Sequence, residues 1–292
     1  MSRSKAADNT PSGSAVRTTV TAYAADGVEQ KTDQLAVEEP LEIRVVAEVQ
    51  GGRARHSIAV TMRTPGHDFE LAAGFLFTEG VIRDDKSIWR FSYCEGESAD
   101  EQGNIVEVHL APNVAFDPKR LSRNVYMSSS CGVCGKTSID LVRTALPGPP
   151  KGDFQLQPRQ LLQLPTALLE AQPVFSRTGG LHAAALVDAD GKLLHLAEDV
   201  GRHNAVDKLI GARLLEGELP ADDLVLLVSG RASFELVQKA LMAGIPALLA
   251  VGAPSSLAVE LAQELEMTLV GFLRDGRFNI YSGSHRLDIA GA

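Results

Sequence analysis

Residues 224–251, LVLLVSGRASFELVQKALMAGIPALLAV, contain two short apolar runs separated by a helical pattern. The first run, 224–228, is wholly apolar, as expected for a strand that is buried on both faces of a sheet. Apolar residues then recur at helical spacing from Ser233 to Met242, and a second predicted strand runs from Ile245 to Val251. A strand, a helix and a strand in this order predict a parallel pair, and therefore an α/β fold.

Predicted strands and helices alternate on both sides of this unit. Asp190-Gly191 lies between two apolar runs and is a strong hairpin signal. The further elements are a hairpin over 183–196, a helix over 203–215, a helix over 257–265 and a strand over 268–273. We therefore predict that residues 151–292 form an α/β subdomain, with a mainly parallel sheet that helices cover on both faces.

Residues 16–146 are predicted to form a strand-rich N-terminal subdomain. Asp68 is suitably placed to cap a helix that stops at Gly80. Four strands are predicted, over 41–49, 56–62, 88–93 and 105–110, and a helix is expected directly after Lys136. Residues 147–150, PGPP, are the best linker candidate, and residues 1–15 are predicted to be a disordered tail.

Composition and charge narrow the class of protein. The 292 residues are 45% apolar and 22% charged, an ordinary balance for a globular protein. The net charge of −9 argues against general nucleic-acid binding, which depends on basic surface. No apolar run is long enough to span a membrane, the N-terminus lacks the apolar segment of a secretory signal, and three cysteines do not suggest a disulfide framework. We expect a cytoplasmic protein that binds neither nucleic acid nor membranes.

Residues 128–136, SSSCGVCGK, form a loop of small residues that carries two thiols, Cys131 and Cys134. Nothing large covers the sulfurs, and thiols at this spacing commonly have a lowered pKa, so both are candidate catalytic residues. A redox pair, half of a zinc site and a sulfur relay all remain open, as does a glycine turn with incidental thiols. In a relay, one thiolate carries a persulfide and its neighbour protects or resolves it. A second Cys-x-x-Cys is absent and Cys94 stands at no ligand spacing, so we predict no metal.

Two predicted strand-to-helix loops, 229–233 and 252–256, are candidate anion sites. Each follows the carboxyl end of a predicted parallel strand, where open sheets bind ligands, and each precedes a helix N-terminus with free N–H groups. Either loop alone is adequately explained as a capped helix start. The two loops together favour a phosphate or nucleotide site, to which Arg231 would add positive charge.

Three other segments combine polar or flexible residues at predicted turns. Residues 198–204, EDVGRHN, crowd four ionisable side chains into one turn, and 178–182, TGGLH, bring a histidine into a strand. Ion pairs and capping could explain the first segment, and a structural histidine the second. In 272–277, FLRDGR, two arginines flank an Asp-Gly turn and would suit a phosphate or a guanine edge.

A zinc deaminase also uses Cys-x-x-Cys and histidine, but the order of residues does not fit. That signature requires His-x-Glu and, later, Pro-Cys-x-x-Cys. Here His182 is followed by two alanines, and the cysteine pair precedes it without a proline. The general acid and the ligand order of a deaminase are therefore missing.

Four segments taken in order, 131–136, 178–182, 198–204 and 272–277, resemble the FdhD family, the sulfur carriers needed for active formate dehydrogenase. The resemblance extends from about Leu35 to Ser282, and the combination of segments is highly specific although each alone is weak. It implies a cytidine-deaminase-like, three-layer α/β fold without the deaminase zinc site.

The resemblance also implies a reaction and partners. It implies a sulfurtransferase that takes persulfide sulfur from a cysteine desulfurase and passes it to the molybdenum cofactor, bis-molybdopterin guanine dinucleotide, destined for formate dehydrogenase. Cys131 matches the persulfide-bearing cysteine, with Cys134 assisting, and the protein is expected to be a cytoplasmic homodimer. The residues that match the cofactor-contacting segment are Phe272, Leu273, Arg274, Asp275, Gly276 and Arg277.

Two other classes of function remain open. A binding module would carry or shield the molybdenum cofactor without obligatory thiol chemistry. A thiol-disulfide oxidoreductase would use the cysteine pair alone, but the nucleotide-like loops do nothing to explain that activity.

Overall fold

The computed structural model describes residues 13–49, 52–94, 103–112, 114, 116 and 146–289. The described strands are β1 (Ala15–Ala24), β2 (Gly27–Ala36), β3 (Glu39–Val49), β4 (Gly52–Arg63), β5 (Ile88–Tyr93), β6 (Ile105–Leu110), β7 (His182–Val187), β8 (Leu193–Asp199), β9 (Val225–Val228), β10 (Ala247–Ala250), β11 (Thr268–Arg274) and β12 (Arg277–Ser282). The described helices are α1 (Asp68–Thr78), α2 (Pro158–Leu161), α3 (Leu164–Glu170), α4 (Phe175–Thr178), α5 (Arg202–Leu215), α6 (Phe234–Met242) and α7 (Ser256–Glu264).

The larger sheet has six strands in the order β12-β11-β10-β9-β7-β8. The pairs β9–β10 and β10–β11 are parallel, whereas β7–β9, β7–β8 and β11–β12 are antiparallel. The prediction of a mainly parallel sheet is therefore wrong, because the sheet is mixed. Tight hairpins join β7 to β8 and β11 to β12, and strands joined in this way can only be antiparallel neighbours.

Both faces of the six-stranded sheet are covered, as predicted. Alternate residues of β9 point to opposite faces: Val225 and Leu227 pack with α2 and α3, whereas Leu226 and Val228 pack in the core formed by α1, α5, α6 and α7. All four β9 side chains are essentially inaccessible to solvent. The wholly apolar run that predicted a doubly buried strand is thus confirmed.

The smaller sheet has four strands in the order β4-β3-β6-β5, with β3–β6 parallel and the other two pairs antiparallel. Leu41, Ile43 and Val45 on β3 face the same core as α1 and α5. Residues on both sides of the predicted linker therefore share one hydrophobic core. The layers are the helices α2 and α3, the six-stranded sheet, the remaining long helices and the four-stranded sheet.

Helices α1 and α5 cross in backbone contact. A Cβ atom added at Gly74 would overlap the carbonyl oxygen of Asp207, and one added at Gly211 would overlap that of Glu70. Glycine is needed at both crossing points because any side chain would push the helices apart. This contact fixes α5, and with it the loop that precedes α5, against α1.

Two features of the N-terminal half differ from expectation. Asp68 does not cap α1; His67 is the N-cap residue, and Asp68 accepts a hydrogen bond from the buried Arg63 at 3.0 Å. The antiparallel ribbon of β1 and β2 was not predicted, although it follows directly on the predicted tail. None of the helices described here is long and apolar enough to cross a lipid bilayer.

Candidate functional site

Five segments that are far apart in the sequence meet at one edge of the six-stranded sheet. Strands β9, β10 and β11 end there, because they run parallel to one another. Strand β7 begins there and β8 ends there, because β7 is antiparallel to both β9 and β8. We call this region the carboxyl edge; it comprises residues 178–182, 198–204, 229–233, 252–256 and 271–277.

The loops after β9, β10 and β11 lie side by side. The N–H of Gly252 donates to the carbonyl of Gly230 at 2.9 Å, and the N–H of Ser255 donates to that of Ala232 at 2.9 Å. The N–H of Phe272 donates in turn to the carbonyl of Gly252 at 3.0 Å. The two loops predicted as neighbours are therefore neighbours, and the arginine turn begins directly beside them.

Three helices of nine residues or more begin at the carboxyl edge. Ser233 caps α6 and Ser255 caps α7, each accepting a backbone hydrogen bond, whereas α5 begins after Gly201 without a side-chain cap. Each N-terminus carries a partial positive charge that favours anions. Arg231 is exposed in the first loop, so the edge combines helix N-termini with a full positive charge.

Arg202 adds to the positive character of the edge, and His182 lies at the same edge. The Nε atom of Arg202 is buried, and it has no hydrogen-bond partner among the described residues. His182 is half-buried, and its ring lies next to Gly230, where a Cβ atom would be 3.5 Å from Nδ1. Burial, followed by the positive charges of Arg202 and His203, lowers the pKa of His182.

A fully buried carboxylate shapes the turn before α5. Asp199 forms an ion pair with Lys208 at 2.7 Å, and it accepts hydrogen bonds from the N–H of Gly201 at 2.8 Å and the amide of Asn204 at 3.0 Å. It also accepts a bond from the N–H of Thr64 at 3.2 Å. The conformation of this turn is therefore tied to the loop between β4 and α1.

The four ionisable groups of residues 198–204 divide into two pairs. Glu198 caps α4 by accepting the N–H groups of Val174 at 3.0 Å and Phe175 at 2.7 Å, and Asp199 is structural as described. Arg202 and His203 lie at the start of α5. Capping and ion pairing thus explain half of the cluster, and the other half contributes to the carboxyl edge.

His203 bridges two helices at this edge. Its Nε2 atom lies 2.8 Å from a carboxylate oxygen of Glu235 and 3.2 Å from the hydroxyl of Ser233. The hydrogen bond from His203 lowers the pKa of Glu235. His203 is therefore held by α6 rather than extended into solvent.

The segment 272–277 forms a tight hairpin between β11 and β12. Asp275 and Gly276 both have positive φ, 54° and 71°, as a type I′ turn requires. Arg274 and Arg277 are directly paired across the hairpin, and both are exposed.

The guanidinium of Arg274 lies 5.7 Å from the ring centroid of Phe272, which itself has φ of 54° next to a bulge. The side chain of Leu273, by contrast, is fully buried in the core, so only its backbone could meet a ligand. The exposed part of the segment therefore consists of two arginines, Asp275 and Gly276 beside one half-buried aromatic ring, and a carboxylate oxygen of Asp275 lies 3.7 Å from the guanidinium of Arg274.

The cysteines have different positions relative to the described part of the chain. Cys131 and Cys134 lie outside the described residues. Cys94 is half-buried after β5, where its N–H donates to the carbonyl of Ile105 at 3.0 Å. Among the residues that the structure describes, no three His, Cys, Asp or Glu side chains are grouped so that they could hold a metal ion.

Several residues that shape the edge were not predicted from the sequence. Thr64 acts on the edge through Asp199, 135 residues away in the chain, and Glu235 acts on it from α6 through His203. Lys208 acts through Asp199 from within α5. A weak signal was present at Lys208, a charged residue within the apolar stripe of α5. Nothing local distinguished Thr64 or Glu235.

The fold and this edge define an α/β protein with a mixed sheet and a polar, anion-favouring edge, and the same fold is known. A solved structure of a protein from Desulfotalea psychrophila, described as a formate dehydrogenase accessory protein, superposes with a TM-score of 0.72. It is 24% identical, and the match covers 94% of this chain and 99% of that chain.

Sequence comparison then places the chain in a family. Residues 36–288 match the FdhD/NarQ family. The protein named sulfur carrier protein FdhD from Streptomyces avermitilis is 53% identical over 272 residues, which cover 91% of this chain and 93% of that protein. The protein of the same name from Mycobacterium tuberculosis is 49% identical over 269 residues, covering 90% and 95%. This chain therefore belongs to the FdhD/NarQ family.

Proposed function

We propose that this protein is a sulfurtransferase that carries sulfur, as a cysteine persulfide, from a cysteine desulfurase to the molybdenum cofactor of a formate dehydrogenase. The observation that carries the proposal is the convergence of five separated segments on one edge, in a chain about half identical to proteins named sulfur carriers. The thiol pair, Cys131 and Cys134, supplies the chemistry that such a carrier needs.

In the first step, the thiolate of Cys131 attacks the outer sulfur of a persulfide on the desulfurase. The sulfur–sulfur bond of the donor breaks, the donor cysteine leaves as a thiolate, and Cys131 becomes the persulfide. Electrons and atoms balance without an external oxidant. A loop of serine and glycine suits this attack because the approaching sulfur meets little steric hindrance.

In the second step, once the acceptor is bound, Cys134 resolves the persulfide. Its thiolate attacks the inner sulfur of Cys131, the outer sulfur leaves as hydrosulfide, and a disulfide joins the two cysteines. Hydrosulfide is then available as a ligand for molybdenum. A cellular dithiol must reduce the disulfide before the next cycle, so one cycle consumes two electrons from that reductant.

The acceptor in this proposal is the bis-molybdopterin guanine dinucleotide form of the cofactor, which is treated as a substrate. It brings four phosphates and two guanines to the protein. Helix N-termini and arginines are suitable for phosphates, and the Phe272 ring with Arg274 is suitable for a planar base. The residues proposed to contact it are Phe272, Leu273 through its backbone, Arg274, Asp275, Gly276 and Arg277.

Mass spectrometry tests the sulfur step. After incubation with a cysteine desulfurase and cysteine, the peptide with Cys131 should gain the mass of one sulfur atom. Cys131→Ala should abolish the gain and Cys94→Ala should leave it unchanged. Sulfur found only on Cys134 or Cys94 would overturn the assignment.

Calorimetry with guanosine diphosphate tests the acceptor site. Arg274→Ala and Arg277→Ala should each weaken binding by about 1.5–3 kcal/mol, as expected when a charge-assisted contact to phosphate is lost. Arg159→Ala, which changes an exposed arginine on α2, is the matched control. Unchanged affinity in both hairpin variants would remove these arginines from the site.

The same variants separate this proposal from a cofactor-binding chaperone. A double variant, Cys131→Ala with Cys134→Ala, should still bind guanosine diphosphate but should activate no formate dehydrogenase. Partial activation by the double variant would favour the chaperone. Reduction of a dithiol substrate by the wild-type protein, without sulfur transfer, would favour a thiol-disulfide oxidoreductase.

The proposal includes a cytoplasmic homodimer, subdomains over 16–146 and 151–292, and a cytidine-deaminase-like arrangement of the mixed sheet. A helix-covered sheet supports the last of these. Sedimentation of the purified protein tests the dimer, and limited proteolysis near the predicted linker at 147–150 tests the subdomain boundary.

A further inference from the structure

A group of exposed side chains surrounds the single tryptophan of the chain. Trp89 on β5 is 58% exposed. The guanidinium carbons of Arg53 and Arg90 lie 4.8 Å and 5.4 Å from the centroid of its ring. Arg55, whose side chain is 68% exposed, lies on the same strand as Arg53. We call Arg53, Arg55, Trp89 and Arg90 the basic patch.

The basic patch lies on the outer face of the four-stranded sheet. Val106 and Val108 of β6 point into the core, so Glu107 and His109 between and beyond them point to the other face. Arg55 forms an ion pair with Glu107 at 2.7 Å, and Trp89 packs edge-on against His109 at 6.4 Å between ring centroids. The patch therefore faces away from α1.

The charges of the patch are only partly neutralised. Glu107 is nearly inaccessible and pairs with Arg55. The guanidinium groups of Arg53 and Arg90 form no ion pair with any carboxylate in the described part of the chain. Burial is the main reason that the pKa of His109 is lowered, and the positive charges of Arg90 and Arg53 lower it further. Glu48 lies directly opposite Arg53 across the β3–β4 pair, so the three arginines of the patch face two neighbouring carboxylates, Glu48 and Glu107. A chain of net charge −9 thus has a small local excess of positive charge around an exposed tryptophan.

We infer that the basic patch docks an acidic segment of a partner protein. Tryptophan and arginine are the residues most enriched among those that contribute most to protein–protein binding. Two guanidinium groups that pair with no carboxylate among the described residues are complementary to the carboxylates of a partner, and Trp89 supplies apolar area at the centre. The patch lies on the outer face of the four-stranded sheet, and the face of a sheet can be contacted by the surface of another protein.

Nucleic acid is a poorer occupant because of the charge of the whole chain. A long polyanion would extend beyond the patch over an acidic surface, and at physiological salt charges interact over about 8 Å. A short acidic segment can end where the patch ends. The net charge of −9 therefore favours the acidic protein segment.

The patch and the carboxyl edge can be occupied together. The layer that contains α1 and α5 separates the four-stranded sheet from the six-stranded sheet, and the patch is on the far side of the smaller one. A partner docked here would leave the carboxyl edge open to its ligand. The inference therefore does not depend on the thiol chemistry or on the molybdenum cofactor.

Fluorescence of Trp89 tests the inference, since no other tryptophan contributes to the emission. The probe is a short oligoglutamate peptide added to the full chain. Its titration should change the emission in a saturable manner, and the change should weaken with added salt. The double variant Arg53→Glu with Arg90→Glu should bind at least about tenfold more weakly, while the control Arg159→Glu should bind as the wild type does.

Three results would overturn the inference: no saturable change with the peptide, equal binding by the double variant, or equal or tighter binding of oligothymidylate of the same charge. The last result would identify a nucleic-acid surface. Circular dichroism should show that the double variant is folded. If it is not, the single variants Arg53→Gln and Arg90→Gln must each weaken binding for the inference to stand.

Discussion

Two adjacent residues of α5 form buried ion pairs that have different consequences. Lys208 pairs with Asp199 at 2.7 Å, and Asp207 pairs with Lys239 at 2.9 Å. None of the four side chains is more than 6% exposed. Asp199 also fixes the turn at the carboxyl edge, whereas Asp207 and Lys239 share the hydroxyl of Thr78 on α1. Lys239 also lies 3.5 Å from a carboxylate oxygen of Glu79, directly after α1.

The difference shows that equal burial does not mean an equal role. A buried pair adds little net stability compared with a well-packed apolar pair, but removing one partner leaves an uncompensated charge. The pair of Asp207 and Lys239 joins helices α5 and α6 to α1 inside the core, so its loss should affect stability alone. The pair of Asp199 and Lys208 joins the core to the candidate site, so its loss should affect both.

The largest effect on stability is expected from a change that breaks the backbone contact between α1 and α5, because α5 carries both Asp207 and Lys208. Gly211→Ala would place a Cβ atom in the carbonyl oxygen of Glu70, and the backbone of neither helix can yield easily. We expect a loss of about 4 kcal/mol or more, enough to unfold the chain, measured by urea denaturation followed by circular dichroism. Gly230→Ala is the control, because its Cβ would meet its nearest neighbour, His182, at an ordinary 3.5 Å. Wild-type stability in Gly211→Ala would mean that α1 and α5 are not in backbone contact.

The next effect concerns the core pair alone. Lys239→Met should lower the free energy of unfolding by about 3–5 kcal/mol, because Asp207 would remain buried without its cation. The double variant Asp207→Leu with Lys239→Met should recover part of this loss, because it removes the buried Asp207 charge but still leaves Glu79 without its cation. Binding of guanosine diphosphate by the folded protein, measured by calorimetry, should be unchanged in the double variant. Weakened binding there would show that the core pair also acts on the carboxyl edge.

A smaller loss of stability, with a loss of binding, is expected at the other pair. Asp199→Asn keeps the shape of the side chain but places an amide where Gly201 and Asn204 donate hydrogen bonds. We expect a loss of about 2–3 kcal/mol in urea denaturation. Because the turn before α5 would shift, affinity for guanosine diphosphate should fall at least about tenfold. Unchanged affinity would contradict the proposed difference between the two pairs.

Much of the C-terminal half was predictable because its signals are local. Strand β9 is a doubly buried apolar run, and Ser233 and Ser255 precede their helices as caps. Strands β5 and β6 also have the predicted bounds, 88–93 and 105–110. The sequence also predicted that the loops 229–233 and 252–256 lie side by side, because they follow strands predicted to be parallel and parallel strands end at the same edge of a sheet.

The features that were missed depend on contacts between distant residues. Three pairs of the mixed sheet are antiparallel: Asp-Gly turns indicate the β7–β8 and β11–β12 hairpins locally, whereas no local pattern indicates that β7 lies antiparallel to β9. The β1–β2 ribbon is mostly exposed and so lacks a strong apolar alternation, although Asp26-Gly27 at its turn is a hairpin signal. Asp68 fits the pattern of a helix cap, but the buried Arg63 offers its carboxylate a stronger, charged partner.

A third residue of α5, His203, also forms an ion pair, with Glu235 on α6. This pair is partly exposed, whereas the two pairs compared above are buried. His203 and Glu235 are 32% and 36% exposed at the carboxyl edge. The hydrogen bond from His203 lowers the pKa of Glu235 from its ordinary 4.5, and Lys239 and Arg202 act in the same direction while burial opposes them. Solvent weakens such a pair, so Glu235→Gln should cost only about 0.5 kcal/mol of stability at neutral pH.

The pH dependence of this small effect has a definite sign. Because the pKa of Glu235 is lower in the folded state than in the unfolded state, its contribution is complete above pH 4.5 and is lost as pH falls through the folded value. The wild type should therefore lose its advantage over Glu235→Gln as urea denaturation is repeated at pH values stepped downward from 4.5. Glu260→Gln, at an exposed position on α7, is the control and should parallel the wild type. A difference between wild type and Glu235→Gln that stays constant through this acid range would show that the hydrogen bond to His203 does not depend on the charge of Glu235.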